Sequence, residues 1–408
     1  MKKILIKNFK NLNNYGSGMM GLITLSEIYN RLDGNVKFYS DFDEYADMTE
    51  ILKELNIKNV DLNIYTPKKN VSRNKIAFLK YFYTLKAIFS NEGANEFDLV
   101  VVLGGDDLSE YYGKHIWPVF LNLNSWASKT KVVLFGQSIG PFKHWYNRFT
   151  FKILAAKTKI FTRDEYCFNY LSKNLGIKKN ITLSGDIAFL KLPLEDDKKY
   201  EDEILEHYKL EKDKYVSIVI SGLFGKYYTK NIDDYFNTYE QLISRLKNNP
   251  KLKGYKICLL AHTFPPHGNE ADLLIRFEDY LKNKKDVIFI KDKVHQAAAR
   301  FILGNGALTI TGRMHASVST FEMGKPSISL AYSVKYYGVI GDNLGRNDLI
   351  IDANDSNLWK SNVMVNMIDD KVNYILDDYD NILEDISEKV DVQKNLVNNA
   401  FHSLLNDL

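Results

Sequence analysis

Short apolar runs alternate with helical patterns along the first 190 residues. Apolar runs predict strands at residues 4–6, 36–39, 99–103, 132–135, 160–162 and 181–183. Between them, apolar residues recur every three and four positions and predict helices at residues 19–31, 76–89, 115–128, 146–156 and 165–173. Strands that alternate with helices in this way predict a parallel sheet with helical crossovers. Residues 1–190 are therefore expected to form one Rossmann-like α/β domain.

The pattern starts again after a charged connection that contains Pro193. Further strands are predicted at residues 215–220, 257–261, 287–290, 307–310 and 327–330, with helices near 235–246, 270–281, 294–303 and 314–323. Residues 201–350 are thus expected to form a second α/β domain. Residues 351–408 are polar and largely helical in period, and we expect them to pack as closing helices. Two such domains in series enclose a cleft, where ligands commonly bind.

Composition narrows the classes of function. A chain of 408 residues is longer than one core usually supports, and its 45% apolar and 26% charged content is that of a folded globular protein. The net charge of only +3 argues against a nucleic-acid partner. Cys167 and Cys258 lie in apolar segments without metal-ligand spacing, which predicts buried thiols. The first residues resemble a strand rather than a signal peptide, so we expect a cytoplasmic protein.

Residues 74–90 interleave Lys75, Lys80 and Lys86 with aromatic residues. Basic and aromatic residues together suit peripheral docking on the anionic inner face of a membrane. The alternative, which we prefer slightly, is a crossover helix that is buried on one side and keeps its lysines in solvent.

Four glycine-containing loops each follow a predicted strand. They contain Asn14 and Gly16, then Gly104 and Gly105, then Gln137 and Ser138, and finally Gly312. Loops at the carboxyl ends of parallel strands share one edge of a sheet, and glycine lets the backbone approach a ligand closely. Each loop taken alone could equally be a simple turn. The chain contains neither GxGxxG nor GxxxxGK[ST], so the standard nucleotide signatures are missing.

The sequence around Arg313 and His315 predicts an anion site. Both residues, with Met314 between them, follow a strand and open an apolar helix. A helix start offers free N–H groups and a partial positive charge, to which a guanidinium and an imidazole add. The alternative is a local ion pair and a helix cap. Arg163 repeats this arrangement in the first domain, where an ion pair with Asp164 or Glu165 is the simpler interpretation.

Asp106 and Asp107 could act as a general base or hold a metal, although such a pair more often caps the next helix. His262 and His267 face the same predicted edge. No third ligand accompanies the two histidines, so we predict substrate contact or loop structure and no metal site.

Taken together, four segments resemble the polysaccharide pyruvyl transferase family, bacterial and fungal enzymes that place a pyruvate ketal on a glycan sugar. The segments are residues 14–18, 99–108, 134–142 (LFGQSIGPF) and 309–335, which contains GRMHA and ends at Lys335. The resemblance implies a GT-B-like fold, in which two Rossmann-like domains face a cleft. It also implies that Arg313 and His315 bind phosphoenolpyruvate and that Arg163 is a second donor-binding arginine. Ser17 departs from the family pattern, which usually has Asp there.

The resemblance implies a division of labour between the domains. Residues 201–350 are the expected donor side, with Gly312, Arg313, Met314, His315 and Lys335, to which Arg163 reaches from the other domain. Residues 1–190 are the expected acceptor side. The acceptor-side residues, with one from the second domain, are Asn14, Gly16, Gly104, Gly105, Gln137, Ser138 and His262.

The reaction would use phosphoenolpyruvate as co-substrate, with no cofactor, and a glycan acceptor such as a polyprenyl-diphosphate-linked one. His315 is the candidate general acid, and Asp106 or Asp107 the candidate base. Two alternatives remain: a GT-B glycosyltransferase that uses a nucleotide sugar, and a non-catalytic glycan-binding relative.

Overall fold

The structure is a computed structural model that describes residues 1–66, 91, 93–110, 113–406 and 408. The basic-aromatic segment at residues 74–90, with its predicted helix at 76–89, lies outside these residues. Strands and helices are numbered below in chain order within the described part of the chain.

The first sheet has seven parallel strands in the order β3-β2-β1-β4-β5-β6-β7. They are β1 (Lys2–Lys7), β2 (Val36–Ser40), β3 (Asp61–Ile64), β4 (Leu99–Leu103), β5 (Lys131–Gln137), β6 (Lys159–Thr162) and β7 (Ile181–Leu183). The central strand β4 is buried along its whole length, as expected for a parallel strand covered on both faces. The helices of this half are α1 (Tyr15–Arg31), α2 (Met48–Leu55), α3 (Trp117–Ala127), α4 (Trp145–Ala155) and α5 (Glu165–Asn169).

The second sheet has six parallel strands in the order β10-β9-β8-β11-β12-β13. They are β8 (Tyr215–Val219), β9 (Lys256–Leu260), β10 (Val287–Ile290), β11 (Leu308–Thr311), β12 (Ser327–Ala331) and β13 (Ile350–Asp352). Its helices are α6 (Lys198–His207), α7 (Phe224–Tyr227), α8 (Ile232–Asn248), α9 (Glu270–Tyr280), α10 (Gln296–Gly304) and α11 (Met314–Glu322). Both orders reverse direction beside the first strand of each sheet, which is the point where doubly wound folds bind ligands.

Two helices close the chain, α12 (Val363–Asp377) and α13 (Tyr379–Leu405). The 27-residue α13 returns to the first sheet, where Phe401 meets Phe135 with ring centroids 4.7 Å apart. Gln393 also donates to the carbonyl of Asn343 at 3.0 Å. One hydrophobic core is therefore continuous across both halves, and a second lies on the outer face of the first sheet.

Two strands and the helices α2, α6 and α7 escaped the sequence prediction, and α1 begins earlier than predicted. The strands β3 (DLNI) and β13 (IID) are short and lie at sheet edges, and β3 lacks a clear apolar run. Helix α1 begins at Tyr15 rather than at residue 19, so Gly16 lies in a helical turn and not in a loop. Cys167 and Cys258 are both buried and free, as predicted. No helix within the described ranges is long and apolar enough to cross a membrane.

Candidate active site

The two sheets face each other across a cleft with the carboxyl ends of their strands. Asn14, at the start of α1, forms an isolated bridge with Thr263, which follows β9. The amide of Tyr15 donates to the carbonyl of His262 at 3.3 Å. Deeper in the cleft, Lys335 Nζ lies 3.4 Å from Asp106 Oδ2. The glycine-containing segments of both halves thus meet at one place.

Helix α11 starts on a tightly packed turn. Arg313 is its N-cap in an extended conformation, and its amide donates to Thr311 Oγ1 at 2.8 Å. The carbonyl of Gly312 accepts from the Tyr336 hydroxyl at 2.8 Å, and a Cβ on Gly312 would come within 2.8 Å of the Tyr228 hydroxyl. Met314 is buried in the core. The first turn of α11 therefore has little freedom to move.

Arg313 pairs with a carboxylate that the sequence did not single out. Its Nε and Nη2 both lie 2.7 Å from Glu270 Oε1, and Nη2 donates to Thr263 Oγ1 at 3.0 Å. Burial lowers the pKa of Arg313, but the Glu270 carboxylate outweighs burial and raises it further above its ordinary value. The ion-pair interpretation of Arg313 is thus realised in the structure. Glu270 begins α9, where an acidic residue resembles an ordinary helix-start charge.

Glu270 organises the loops around Arg313. It is fully buried, and it accepts hydrogen bonds from the amides of Gly222, His262 and Thr263 at 2.9 to 3.0 Å. A buried carboxylate is stabilised only by such a set of donors. Glu270 therefore fixes the orientation of Arg313 rather than competing for a substrate proton.

His315 lies between the two domains. Its Nε2 is 3.5 Å from Oδ2 of Asp186, a fully buried residue that follows β7. A Cβ on Gly16 of α1 would lie 2.2 Å from His315 Nδ1, so the glycine leaves room for the ring. Burial raises the pKa of Asp186, but His315 and Arg163 outweigh burial and hold it below its ordinary value. Asp186 is therefore an ionised carboxylate beside the imidazole.

Arg163 is buried and has one guanidinium nitrogen to spare. Its Nε donates to Ser138 Oγ at 2.7 Å, and its Nη1 lies 3.3 Å from Asp186 Oδ2. Its Nη2 has no hydrogen-bond partner within the described part of the chain. The local ion pair with Asp164 is replaced by an indirect contact, because Ser138 Oγ also donates to Asp164 Oδ2 at 2.7 Å. Buried donors without partners are uncommon, and this nitrogen is available to a ligand or a bound water.

Asp106 and Asp107 lie in a turn, and α3 begins only at Trp117 with Ile116 as its N-cap. The helix-cap interpretation of the pair was therefore wrong. Asp107 is reached by solvent, yet desolvation by the cleft walls raises its pKa above the ordinary value, and the charge of Asp106 adds to this effect. Lys335 approaches Asp106 and donates to the Tyr332 hydroxyl at 2.9 Å.

Three predicted acceptor-side residues support the backbone. Gln137 is fully buried and its Nε2 donates to the carbonyls of Val102 and Leu103. A Cβ on Gly104 would lie 1.7 Å from the carbonyl oxygen of Gly136, so only glycine fits there. The carbonyl of Gly105 accepts from the amide of Ser138 at 2.9 Å. These contacts hold the ends of β4 and β5 together.

His262 is buried against Tyr15, with ring centroids 5.2 Å apart. Both of its ring nitrogens lack partners within the described residues. Burial lowers the pKa of His262 well below its ordinary value, and Arg313 and His315 lower it further. His262 is therefore neutral at physiological pH. Over the described ranges, no three His, Cys, Asp or Glu side chains cluster as metal ligands.

The sequence is similar to a known protein family and to a protein of known role. Residues 14–334 match the family described as polysaccharide pyruvyl transferase. The chain is 22% identical over 317 residues to the amylovoran biosynthesis protein AmsJ of Erwinia amylovora. The aligned region covers 77% of this chain and 74% of AmsJ.

Among the solved structures that share the fold are two UDP-GlcNAc 2-epimerases. UDP-GlcNAc 2-epimerase from Neisseria meningitidis, bound to UDP-GlcNAc, gives a TM-score of 0.65 at 9% identity and 100% coverage of both chains. The enzyme from Rickettsia bellii gives 0.60 at 13% identity, with 100% of this chain and 96% of that one covered. At such low identity these likenesses bear on the fold alone. They confirm the predicted GT-B-like arrangement of two parallel α/β sheets with long C-terminal helices.

Proposed function

The chain belongs to the polysaccharide pyruvyl transferase family, and we propose that it transfers pyruvyl from phosphoenolpyruvate to a sugar of a surface polysaccharide or of its lipid-linked precursor. The product is a pyruvate ketal, and phosphate is released. The name of AmsJ, a biosynthesis protein of the polysaccharide amylovoran, supports a role in exopolysaccharide synthesis. The observation that carries the proposal is the buried Arg163, whose free Nη2 lies in the same cluster as Asp186 and His315.

Phosphoenolpyruvate carries a phosphate and a carboxylate, and the cleft offers matching donors. The free Nη2 of Arg163, the ammonium of Lys335 and the amides at the start of α11 are the donors that we assign to the two anionic groups. We also assign Arg313 to the donor, and Glu270 holds its guanidinium in orientation. Lys335 is paired with Asp106, so substrate binding would loosen that pair and free the carboxylate for the acceptor.

Ketal formation requires an acid, a base and fixed geometry. The methylene carbon of phosphoenolpyruvate takes a proton and becomes the methyl group. One sugar hydroxyl attacks the neighbouring carbon and loses its proton, the C–O bond to phosphate breaks, and a second hydroxyl of the same sugar closes the ring. The two hydroxyl protons balance the proton on carbon and the proton that leaves on phosphate.

Roles for individual residues follow from the electrostatics of the cleft. We assign the carbon proton to His315, because an imidazole can carry and donate a proton and its Nε2 lies 3.5 Å from the Asp186 carboxylate. We assign the first hydroxyl proton to Asp107, because a raised pKa makes its carboxylate a stronger base. Asp106 is the alternative base, because it contacts Lys335, a residue that we assign to the donor.

A thermal-shift comparison tests the donor. Phosphoenolpyruvate should raise the melting temperature more than inorganic phosphate does, and UDP should not raise it, because selective binding stabilises the folded state. Arg163→Lys keeps the charge but lacks Nη2, so it should lose this shift. Arg276→Lys, at an exposed position of α9, is the matched control and should keep it. A shift with UDP alone would favour the nucleotide-sugar alternative and overturn the proposal.

The reaction is tested by phosphate release. Release should require both phosphoenolpyruvate and an acceptor glycan that lacks pyruvate, and the glycan should gain an acid-labile ketal. His315→Ala should lower turnover about 10²-fold or more, as expected for loss of a general acid. Normal turnover by His315→Ala would end its assignment, and phosphate release without ketal formation would end the proposed reaction.

A further inference from the structure

One stretch of the first domain has an unusual distribution of charge. Between residues 111 and 163 the sequence contains nine Lys and Arg residues and no Asp or Glu. Because the whole chain carries a net charge of only +3, the rest of the chain is net acidic. The positive charge is therefore concentrated in one contiguous stretch, which includes α3, β5 and α4.

Helix α4 exposes two aromatic side chains within this stretch. Trp145 is 75% exposed and Phe149 is 59% exposed. Arg148 and Lys152 are exposed as well. These four residues follow the spacing of one helical face, and exposed Lys143 precedes them. We call Lys143, Trp145, Arg148, Phe149 and Lys152 the α4 face.

The α4 face is not needed for packing, because the opposite side of the helix already fills the core. Phe151 meets Phe120 and Phe142 with ring centroids 5.2 and 5.4 Å apart. Buried Asn147 accepts from the amide of Trp117 at 3.1 Å and donates to Glu110 at 2.7 Å. The exposed tryptophan and phenylalanine thus have no partner that folding requires.

The cations of the α4 face are similarly available. Among the residues that the structure describes, Lys143, Arg148 and Lys152 take part in no ion pair. Arg148 makes one hydrogen bond, from its Nε to the carbonyl of Phe142 at 2.7 Å. Aromatic tips flanked by unpaired cations match a bilayer surface, where the rings enter the headgroup region and the cations meet lipid phosphates.

We propose that the α4 face docks this protein on a membrane surface rich in anionic phospholipid. A strand of nucleic acid is a poorer fit, because aromatic residues that stack on bases usually line a groove, whereas Trp145 stands out from the surface. Helix α4 follows β5 directly after the loop that contains Ser138, so its first turn lies on the cleft side of the sheet. Docking there brings the cleft close to an acceptor held in the same bilayer.

Vesicle flotation tests the docking surface on the full chain. Binding to vesicles of phosphatidylcholine plus phosphatidylglycerol should exceed binding to phosphatidylcholine alone and should weaken as salt is raised. Lys143→Gln with Lys152→Gln should weaken binding about 25-fold, since each lysine near an anionic surface contributes about fivefold. Trp145→Ala with Phe149→Ala should also weaken it. The matched control on exposed α9, Ile275→Ala with Arg276→Gln, should bind normally.

Two further measurements keep the test decisive. Quenching of tryptophan fluorescence by brominated lipid should be strong in the unmodified chain and should fall in Trp145→Phe, because Trp126 and Trp359 are buried and Trp117 is half-buried. Melting temperature and phosphate release with a water-soluble acceptor should be unchanged in the α4-face variants. Equal binding to neutral and anionic vesicles, equal loss in the α9 control, or binding to RNA or polysaccharide but not to vesicles would overturn the proposal. Because the lipid assays need no substrate, their outcome is independent of the proposed reaction.

Discussion

Replacing Gly16 by alanine tests whether contact between the domains sets the position of His315. A Cβ at residue 16 would lie 2.2, 2.6 and 2.9 Å from Nδ1, Cγ and Cβ of His315. Ordinary carbon contacts begin near 3.5 Å, so the ring must retreat by about 1 Å, and a displacement of this size costs about 10²-fold in rate. Gly16 lies in helical backbone, where alanine is favoured by about 1 kcal/mol, so the fold should tolerate the change.

The assay is phosphate release from phosphoenolpyruvate with an acceptor glycan, read beside the melting temperature. We expect Gly16→Ala to lower kcat about 10²-fold with little loss of stability. Gly21→Ala is the matched control on the same helix, because its Cβ would come 2.2 Å from Phe9 in the core and not near His315. Gly21→Ala should lose stability and keep the activity of its folded fraction. Full activity of Gly16→Ala would refute the argument.

Two further changes probe buried carboxylates. Asp186→Asn should lower kcat about 10²-fold. It should not raise the KM for phosphoenolpyruvate, because Arg163 loses a competing carboxylate. Steady-state kinetics measures kcat and KM separately, and a rise in KM alone would contradict this role. Burial raises the pKa of Glu54 from 4.5 to about 8. The free energy of unfolding therefore falls as the pH rises from about 4.5 to about 8, because the buried carboxyl resists losing its proton. Glu54→Gln should therefore raise the free energy of unfolding by about 4 kcal/mol more at pH 9 than at pH 5 in urea titrations. Exposed Glu44→Gln is its control, and an equal gain at both pH values would count against the buried charge.

The sequence by itself determined the type of fold and singled out the segment that contains Arg313 and His315. Long buried strands such as β4 have a continuous apolar run that makes them recognisable in the sequence. Their parallel direction follows from the alternation of these runs with helical patterns. Edge strands such as β3 escaped, because a strand that is half exposed has no such run. The segment that contains Arg313 and His315 could also be recognised from the sequence, because a strand, a glycine and a helix start follow one another within a few residues.

Only the tertiary structure decided which groups meet. Asp186 and Glu270 are far from His315 and Arg313 along the chain, and an isolated acidic residue near a helix start carries no signal of its partner. Gly16 resembled a loop glycine, yet its purpose is to leave space for a histidine of the other domain. Sequence periodicity is a local property, and it predicts helices and strands. Ion pairs and steric fit depend on how the two sheets face each other, and a local pattern does not encode that arrangement.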